Sequence, residues 1–258
     1  MRRHLHAEWT KLRTVAGTGW LLLGLVTLTV AGSVVAAAAV SCTSAGCDYD
    51  PAKISLFGVQ VGQTMAAILA VLAVSGEYGT GMIRTTLAAM PRRAAVLAAK
   101  AAVVTGLTLG AGTVAVFASA LVGRRILLGN GFTRGPGTPI LSLAEGPMLR
   151  AAFGSVLYLA LIALLSLGIA AAVRDSATAI GVVLGLLYIL SILPFMIADP
   201  GWQKLLWQIS PMNAGLAIQA TTKLSGLPIS PWAGLGVLTV WAAAALLGGG
   251  LLLQRRDA

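Results

Sequence analysis

Residue types that do chemistry are scarce in this chain, and their positions restrict what it can do. Only two histidines occur, His4 and His6, both near the start. Two imidazoles without a further ligand make a poor metal site. The pair reads as part of a basic, headgroup-facing tail, and no metal site is expected. With no histidine elsewhere, no Ser-His-Asp set can assemble, and no catalytic residue is assigned. Glu77, Asp175 and Asp199 fall at the ends of apolar runs. A proton-coupled transporter keeps ionisable groups at mid-depth, and no carboxylate pair lies there. The chain contains no Gly-Lys dipeptide, so the G-x-x-x-x-G-K-[ST] loop that cradles phosphates is absent. Cys42 and Cys47 bracket Thr43-Ser44-Ala45-Gly46. On an oxidising side this spacing suits a disulfide, with Gly46 allowing the tight turn, and two free thiols are the alternative. Asp48 and Asp50 beside them are too few carboxylates to define a cation site.

The elements that must position these groups are apolar. Of 258 residues, 57% are hydrophobic and 10% charged, and the mean hydropathy is +0.88. A soluble domain is about half apolar and about a quarter charged. This chain lacks the charge to cover a water-facing surface. Its apolar runs fall at 19–40, 57–74, 96–122, 149–173, 177–198 and 232–253. Each is close to the roughly 20 residues that cross a bilayer as a helix, and none alternates as barrel strands do. The reading is an all-α polytopic membrane protein, a single domain over 1–258 with six transmembrane helices and no internal repeat. The net charge of +10 sits beside the runs, which suits orientation and anionic headgroups and not nucleic acid.

Six spans put both termini on one side. With that side cytoplasmic, 11 of the 18 Lys and Arg fall inside and 7 outside. The positive-inside tendency therefore predicts cytoplasmic termini in the cell membrane. The first run is long and its A-x-A-like stretch lies deep within it, so it reads as a retained anchor and not a cleaved signal. Before it, residues 1–16 form an interfacial elbow helix. Leu5, Trp9, Leu12 and Ala16 share one face, while Arg2, Arg3, Lys11 and Arg13 meet the headgroups. Residues 123–148, rich in Gly and Pro, read as irregular outer loop. Residues 199–231 hold a short amphipathic helix through Trp202, Leu205, Leu206 and Ile209, then Pro211, then a second helical stretch over 212–224. This is the pattern of an outer re-entrant hairpin, with a surface loop lying on the headgroups as the alternative. Glycines recur at Gly106 and Gly110, Gly181 and Gly185, and Gly248-Gly249-Gly250, where they serve close helix packing or a sliding face.

The segment 75–100 is the most ordered of the polar stretches. Residues 75–81, Ser-Gly-Glu-Tyr-Gly-Thr-Gly, can turn sharply. Met82, Ile83, Thr86, Leu87 and Met90 then form one helical face, with Arg84, Thr85 and Ala88 on the other. Pro91 stops the helix, and Arg92 and Arg93 anchor it to headgroups. The result is a short helix across the cytoplasmic base of the second and third spans. The same pattern fits a passive linker.

At these residues the chain resembles the membrane permease subunits of type 2 ABC transporters, in the form common in actinobacteria. The resemblance rests on Ala7-Glu8-Trp9-Thr10-Lys11-Leu12-Arg13-Thr14, on Gly76-Glu77-Tyr78-Gly79-Thr80-Gly81-Met82-Ile83-Arg84-Thr85-Thr86-Leu87, on Pro91-Arg92-Arg93, and on Val173-Arg174-Asp175-Ser176. Their order and spacing cover nearly the whole chain. Gly79 is a departure, since many members carry a basic residue after Glu-Tyr. The resemblance implies an exporter permease whose segment 76–93 contains a coupling helix. Glu77, Tyr78, Gly79, Thr80, Gly81, Met82, Arg84, Thr85 and Leu87 would contact a separate ABC ATPase, with Glu77 and Arg84 the main polar contacts. ATP and Mg²⁺ would sit on that partner, with no cofactor on this chain. A second permease copy, identical or related, and membrane lipids complete the implied partners. The alternative is a non-transport polytopic membrane partner, such as an assembly or immunity factor, that needs no ATPase.

Overall fold

The computed structural model describes residues 2–42, 49–79, 81–82, 93–132 and 146–255, with the side chains of residues 2–5 excepted. Long apolar runs without interior Pro propagate as helices, and every described element is helical. An N-terminal helix α1 (Arg2–Thr14) precedes the first long helix α2 (Ala16–Ala38). A short α3 (Pro51–Ser55) leads into α4 (Val59–Gly79). Then come α5 (Arg93–Gly129) and α6 (Gly146–Val173). The next apolar helix, α7 (Ser176–Met196), contains a π-helical stretch at Gly185–Ile189 and ends as a 3₁₀ turn at Leu193–Met196. Two short helices, α8 (Pro200–Ile209) and α9 (Pro211–Leu216), precede the last, α10 (Pro231–Arg255).

Six of these, α2, α4, α5, α6, α7 and α10, are long and apolar enough to cross a membrane. The protein is an all-α, multi-pass chain of the expected kind. About 67% of the spanning part of α6 and 61% of that of α4 is buried, against 22–33% for the other four, so α4 and α6 form the inside. Tyr158, Leu159, Ile162 and Leu165 of α6 are inaccessible at its centre.

Glycine lets the helices approach. A Cβ on Gly58 would lie 1.7 Å from the Thr29 carbonyl oxygen, where α2 meets α4. On Gly168 it would lie 2.4 Å from the Ala245 carbonyl carbon, and on Gly249 it would lie 2.3 Å from the Gly168 carbonyl oxygen. The α6–α10 contact is thus backbone on backbone. Gly106, Gly110, Gly181 and Gly248 have nothing within 4 Å of a Cβ, so of the glycine clusters in the sequence chiefly Gly249 serves a tight contact.

Hydrogen bonds sort the helix ends into two sets. At one end, the Arg93 guanidinium donates to the Leu253 carbonyl at 2.8 Å, and the Ser176 hydroxyl to Ser75 Oγ at 2.8 Å. This end carries α1 and the end of α10. At the other, Asn130 Nδ2 donates to the Ala37 and Val40 carbonyls, each at 3.0 Å, satisfying acceptors that α2 leaves at its C-terminus. Residues 123–129, expected as loop, continue α5, because no Pro or Gly interrupts Arg124–Leu128 and Leu127 is buried. At 37 residues, α5 is about 55 Å long and outreaches an apolar layer of roughly 30 Å.

The far end also holds α8 and α9. Asp199 caps α8 through the amides of Gly201 and Trp202, and Ser210 caps α9. Helix α8 buries no residue, whereas α9 is buried against α10. The second helical stretch is shorter than the expected 212–224. After Leu216 it tightens to 3₁₀ at Ala217–Gln219, and Thr221 and Thr222 are held by Asp50. Asp50 Oδ2 accepts from both of their amides, and Oδ1 from the Thr221 hydroxyl and the Ala52 amide. Asp50 is therefore a latch between the first outer loop and the segment before α10, which accounts for a carboxylate there without a cation.

Candidate functional site

Four charged side chains converge at the terminus-bearing end. Glu8 and Lys11, three apart, lie on one face of α1 and pair at 3.2 Å. Glu77 stands in the last turn of α4. Lys100 follows the start of α5 by seven residues, about two turns. The Lys100 ammonium spends all three protons, on Glu8 Oε2 at 2.7 Å, Glu77 Oε1 at 2.7 Å and the Ala73 carbonyl at 3.0 Å. Lys11 also donates to Glu77 Oε1, at 2.9 Å.

Burial makes these contacts consequential. The side chains of Glu8, Lys100 and Glu77 are 2%, 5% and 7% exposed, and only Lys11, at 30%, reaches the surface. An isolated buried ion costs several kcal/mol. Here two carboxylates face two ammoniums, so the cluster is neutral. One acceptor is left over: Glu77 Oε2 is buried and has no hydrogen-bond partner among the described residues. Burial favours neutral Lys11, but the hydrogen bond to Glu77 and the charges of Glu8 and Glu77 outweigh it and hold its amine above the ordinary range.

The cluster fuses α1 to the two helices that flank residues 80–92. Next to it, α6 passes to α7 in two residues. Arg174 has a positive φ of 67°, and its amide closes α6 on the Ala170 carbonyl at 2.9 Å. Its guanidinium lies over the Tyr78 ring, 5.4 Å from the centroid. Asp175 then caps α7 through the Thr178 amide at 2.8 Å, a bond that holds its carboxyl below the ordinary value. The Val173-Arg174-Asp175-Ser176 stretch is thus a turn whose side chains grip the end of α4.

The expected site residues are placed unequally. Glu77 is turned into the cluster and engaged within the chain. Tyr78 is half-buried under Arg174, Gly79 is exposed, and Gly81 adopts φ 70°, which glycine tolerates. Met82 is exposed. Thr80, Arg84, Thr85, Leu87 and Arg92 lie outside the described residues, as does all but Met82 of the expected helix over 82–90. Trp9 and Arg13 are exposed, as headgroup anchors require. Lys11, 30% exposed, is also held by Glu8 and Glu77, and Arg93 by the Leu253 carbonyl. The side chains of Arg2 and Arg3 are not described. Cys42 is disulfide-bonded, while Cys47 lies outside the described residues. No group of three His, Cys, Asp or Glu comes together among the described residues.

Two cluster members, Glu8 and Lys100, had no assigned role from sequence. The available signal was their isolation: Glu8 sits on the apolar face of α1 and Lys100 within an apolar run, and a lone charge there needs a partner. A polar seam within the bundle gave weaker warning. The Tyr158 hydroxyl donates to Gln63 Oε1, and Gln63 Nε2 lies 3.3 Å from Met212 Sδ. The hydroxyls of Thr64 and Tyr188 are 2.8 Å apart, and Gln219 reaches Ser155 at 3.0 Å. This seam ties α4, α6, α7 and the α9 region together. The chain matches no protein-family model and no curated protein.

Proposed function

We propose that this chain is the membrane-spanning permease subunit of an ATP-driven ABC exporter, working with an ATPase on a separate chain. The observation that carries the reading is the Glu8–Lys11–Glu77–Lys100 cluster. It makes α1 and the helices on both sides of residues 80–92 one mechanical unit, so a force on that segment is delivered to the bundle without slack. The exposed Gly79, Gly81 and Met82 offer the contact, and the sequence lacks a phosphate-binding loop of its own. In this reading the terminus-bearing end is cytoplasmic in the cell membrane. Helix α1 is the interfacial elbow, and α8 and α9 form the outer re-entrant hairpin. The pair of carboxylates and pair of ammoniums is then a joint and not a reactive centre, so the chain itself is no enzyme.

The test is affinity purification of the full-length chain from native membranes in mild detergent. The expected result is a stoichiometric companion carrying a Walker motif, with ATP hydrolysis in the complex. A chain that purifies without any nucleotide-binding companion, from membranes in which it is functional, sinks the reading in favour of a non-transport membrane partner.

A further inference from the structure

The far end of the molecule holds a groove of about 490 Å³, the volume of a small-molecule site. One wall is a face of α8 carrying Gln203, Lys204 and Trp207, and Ser225 and Gly226 stand across from it. The walls are fixed to each other by Gln208, whose Nε2 donates to the Pro228 carbonyl at 2.7 Å. Trp207 is steadied by an edge contact with Phe195, their ring centroids 5.8 Å apart. Four lining side chains can donate a hydrogen bond: Gln203, Lys204, Trp207 and Ser225. Among the described residues none of the four has a polar side-chain partner, and no carboxylate lines the groove. Asp199, just before α8, spends its Oδ1 on the Gly201 and Trp202 amides. The groove therefore presents one uncompensated ammonium and three neutral donors. Such a set repels cations and binds an anion rich in acceptors.

Depth identifies the anion. The groove lies between two span ends, for α7 ends at Met196, just before α8, and α10 begins at Pro231, just after the second wall. Successive residues of a helix turn by about 100°. On α8 this sets Gln203, Lys204 and Trp207 on one side and Trp202, Leu205 and Ile209 on the opposite one, where all three are exposed. An amphipathic helix at a span end lays such an apolar face in the acyl boundary. Its other face then stands about 5 Å out, one helix radius, within a headgroup layer about 5–8 Å thick. The anion that fills this layer is the phosphodiester of the phospholipids.

We propose that this groove binds the phosphodiester of a membrane phospholipid, with the Lys204 ammonium as its counter-charge and Gln203, Trp207 and Ser225 as neutral donors. The site reads the phosphate and not the alcohol esterified to it. The bound lipid joins α8 to the segment before α10. The inference rests on the membrane-spanning character of the chain and not on transport or an ATPase.

The test is lysine acylation of the full-length chain in maltoside micelles, mapped by mass spectrometry. Dioleoyl-phosphatidylcholine is added first, because a lipid of zero net charge leaves the surface potential unchanged. An ammonium bound to phosphate is not nucleophilic. Lys204 should therefore react roughly tenfold more slowly, the factor that one hydrogen bond to a charged group supplies. Lys53, exposed at the same end, should keep its rate. Dioleoyl-phosphatidylglycerol should protect Lys204 equally, and dioleoylglycerol, which lacks the phosphate, should not. Inorganic phosphate at the same concentration, the free source of the anion, should not protect either, since no acyl chains hold it in the layer. A Cβ on Gly226 meets open space in the groove, so Gly226→Trp should fill it and remove the protection. If Gly226→Trp does not fold, Ser225→Trp serves instead. Equal slowing at Lys53, slowing by dioleoylglycerol or inorganic phosphate, slowing by only one of the two phospholipids, or slowing that survives a filled groove overturns the proposal.

Discussion

Replacing Lys100 by Met removes the central ammonium while keeping a long apolar side chain. Three contacts vanish, to Glu8, Glu77 and the Ala73 carbonyl. Two carboxylates, 2% and 7% exposed, then face Lys11 alone. Removing one partner of a buried ion pair costs about 3–5 kcal/mol, whereas a water-exposed pair is worth about 0–1 kcal/mol. The burial puts this cluster in the first class, so Lys100→Met should lose about 3–5 kcal/mol, a large share of a domain's roughly 5–15 kcal/mol. Adding Glu77→Gln removes the carboxylate that Lys100 no longer neutralises. The double variant should therefore be less damaged than the sum of the singles, by on the order of 1–3 kcal/mol. Unfolding in mixed micelles gives the free energies, and amide exchange over 2–14 shows whether α1 detaches first. A loss below about 1 kcal/mol, the value of exposed pairs, with unchanged exchange in α1, would refute the claim that the cluster binds the three helices together.

Three further outcomes are expected. Gly58→Ala forces a Cβ against the Thr29 carbonyl and should cost about 1–3 kcal/mol or more, whereas Gly106→Ala meets open space and should gain up to about 1 kcal/mol; the same unfolding assay separates them. Asp50→Ala strips the acceptors of the Thr221 and Thr222 amides, so those amides should exchange faster while the α6–α10 core keeps its protection. The raised amine of Lys11 contributes stability that is fully present below its ordinary value of about 10.5 and is lost as pH rises through the folded value. The stability gap between the parent and Lys11→Met should accordingly be flat from neutral pH to about 10 and close above it.

The spans were legible because a bilayer demands continuous apolar runs of fixed length, and that demand is written locally. The N-terminal helix was legible for a similar reason, since Leu5, Trp9 and Leu12 repeat at helical spacing. The edges were less so: α4 runs to Gly79 because Ser75 and Glu77 find partners in Ser176 and Lys100 only after folding. The cluster itself could not be read, because Glu8 and Lys100 are 92 positions apart and nothing local says which helices adjoin. The glycines show the same limit. Gly106 and Gly110 stand four apart yet face open space, while Gly58 and Gly62, at the same spacing, carry two of the closest approaches, both to Thr29. Spacing reports a face, and only the neighbour decides whether the face is used.

The central claim is that the segment after Glu77 receives a separate ATPase. It is tested most directly by a photo-crosslinking amino acid placed at Met82, which is exposed, in the full-length chain in native membranes. The same amino acid at Gly110, on the open face of α5, is the control. The account predicts an adduct from Met82 to a Walker-containing chain that changes yield when ATP is trapped, and none from Gly110. Adducts from Met82 that map only to lipid, or to this chain itself, with and without trapped ATP, would contradict it.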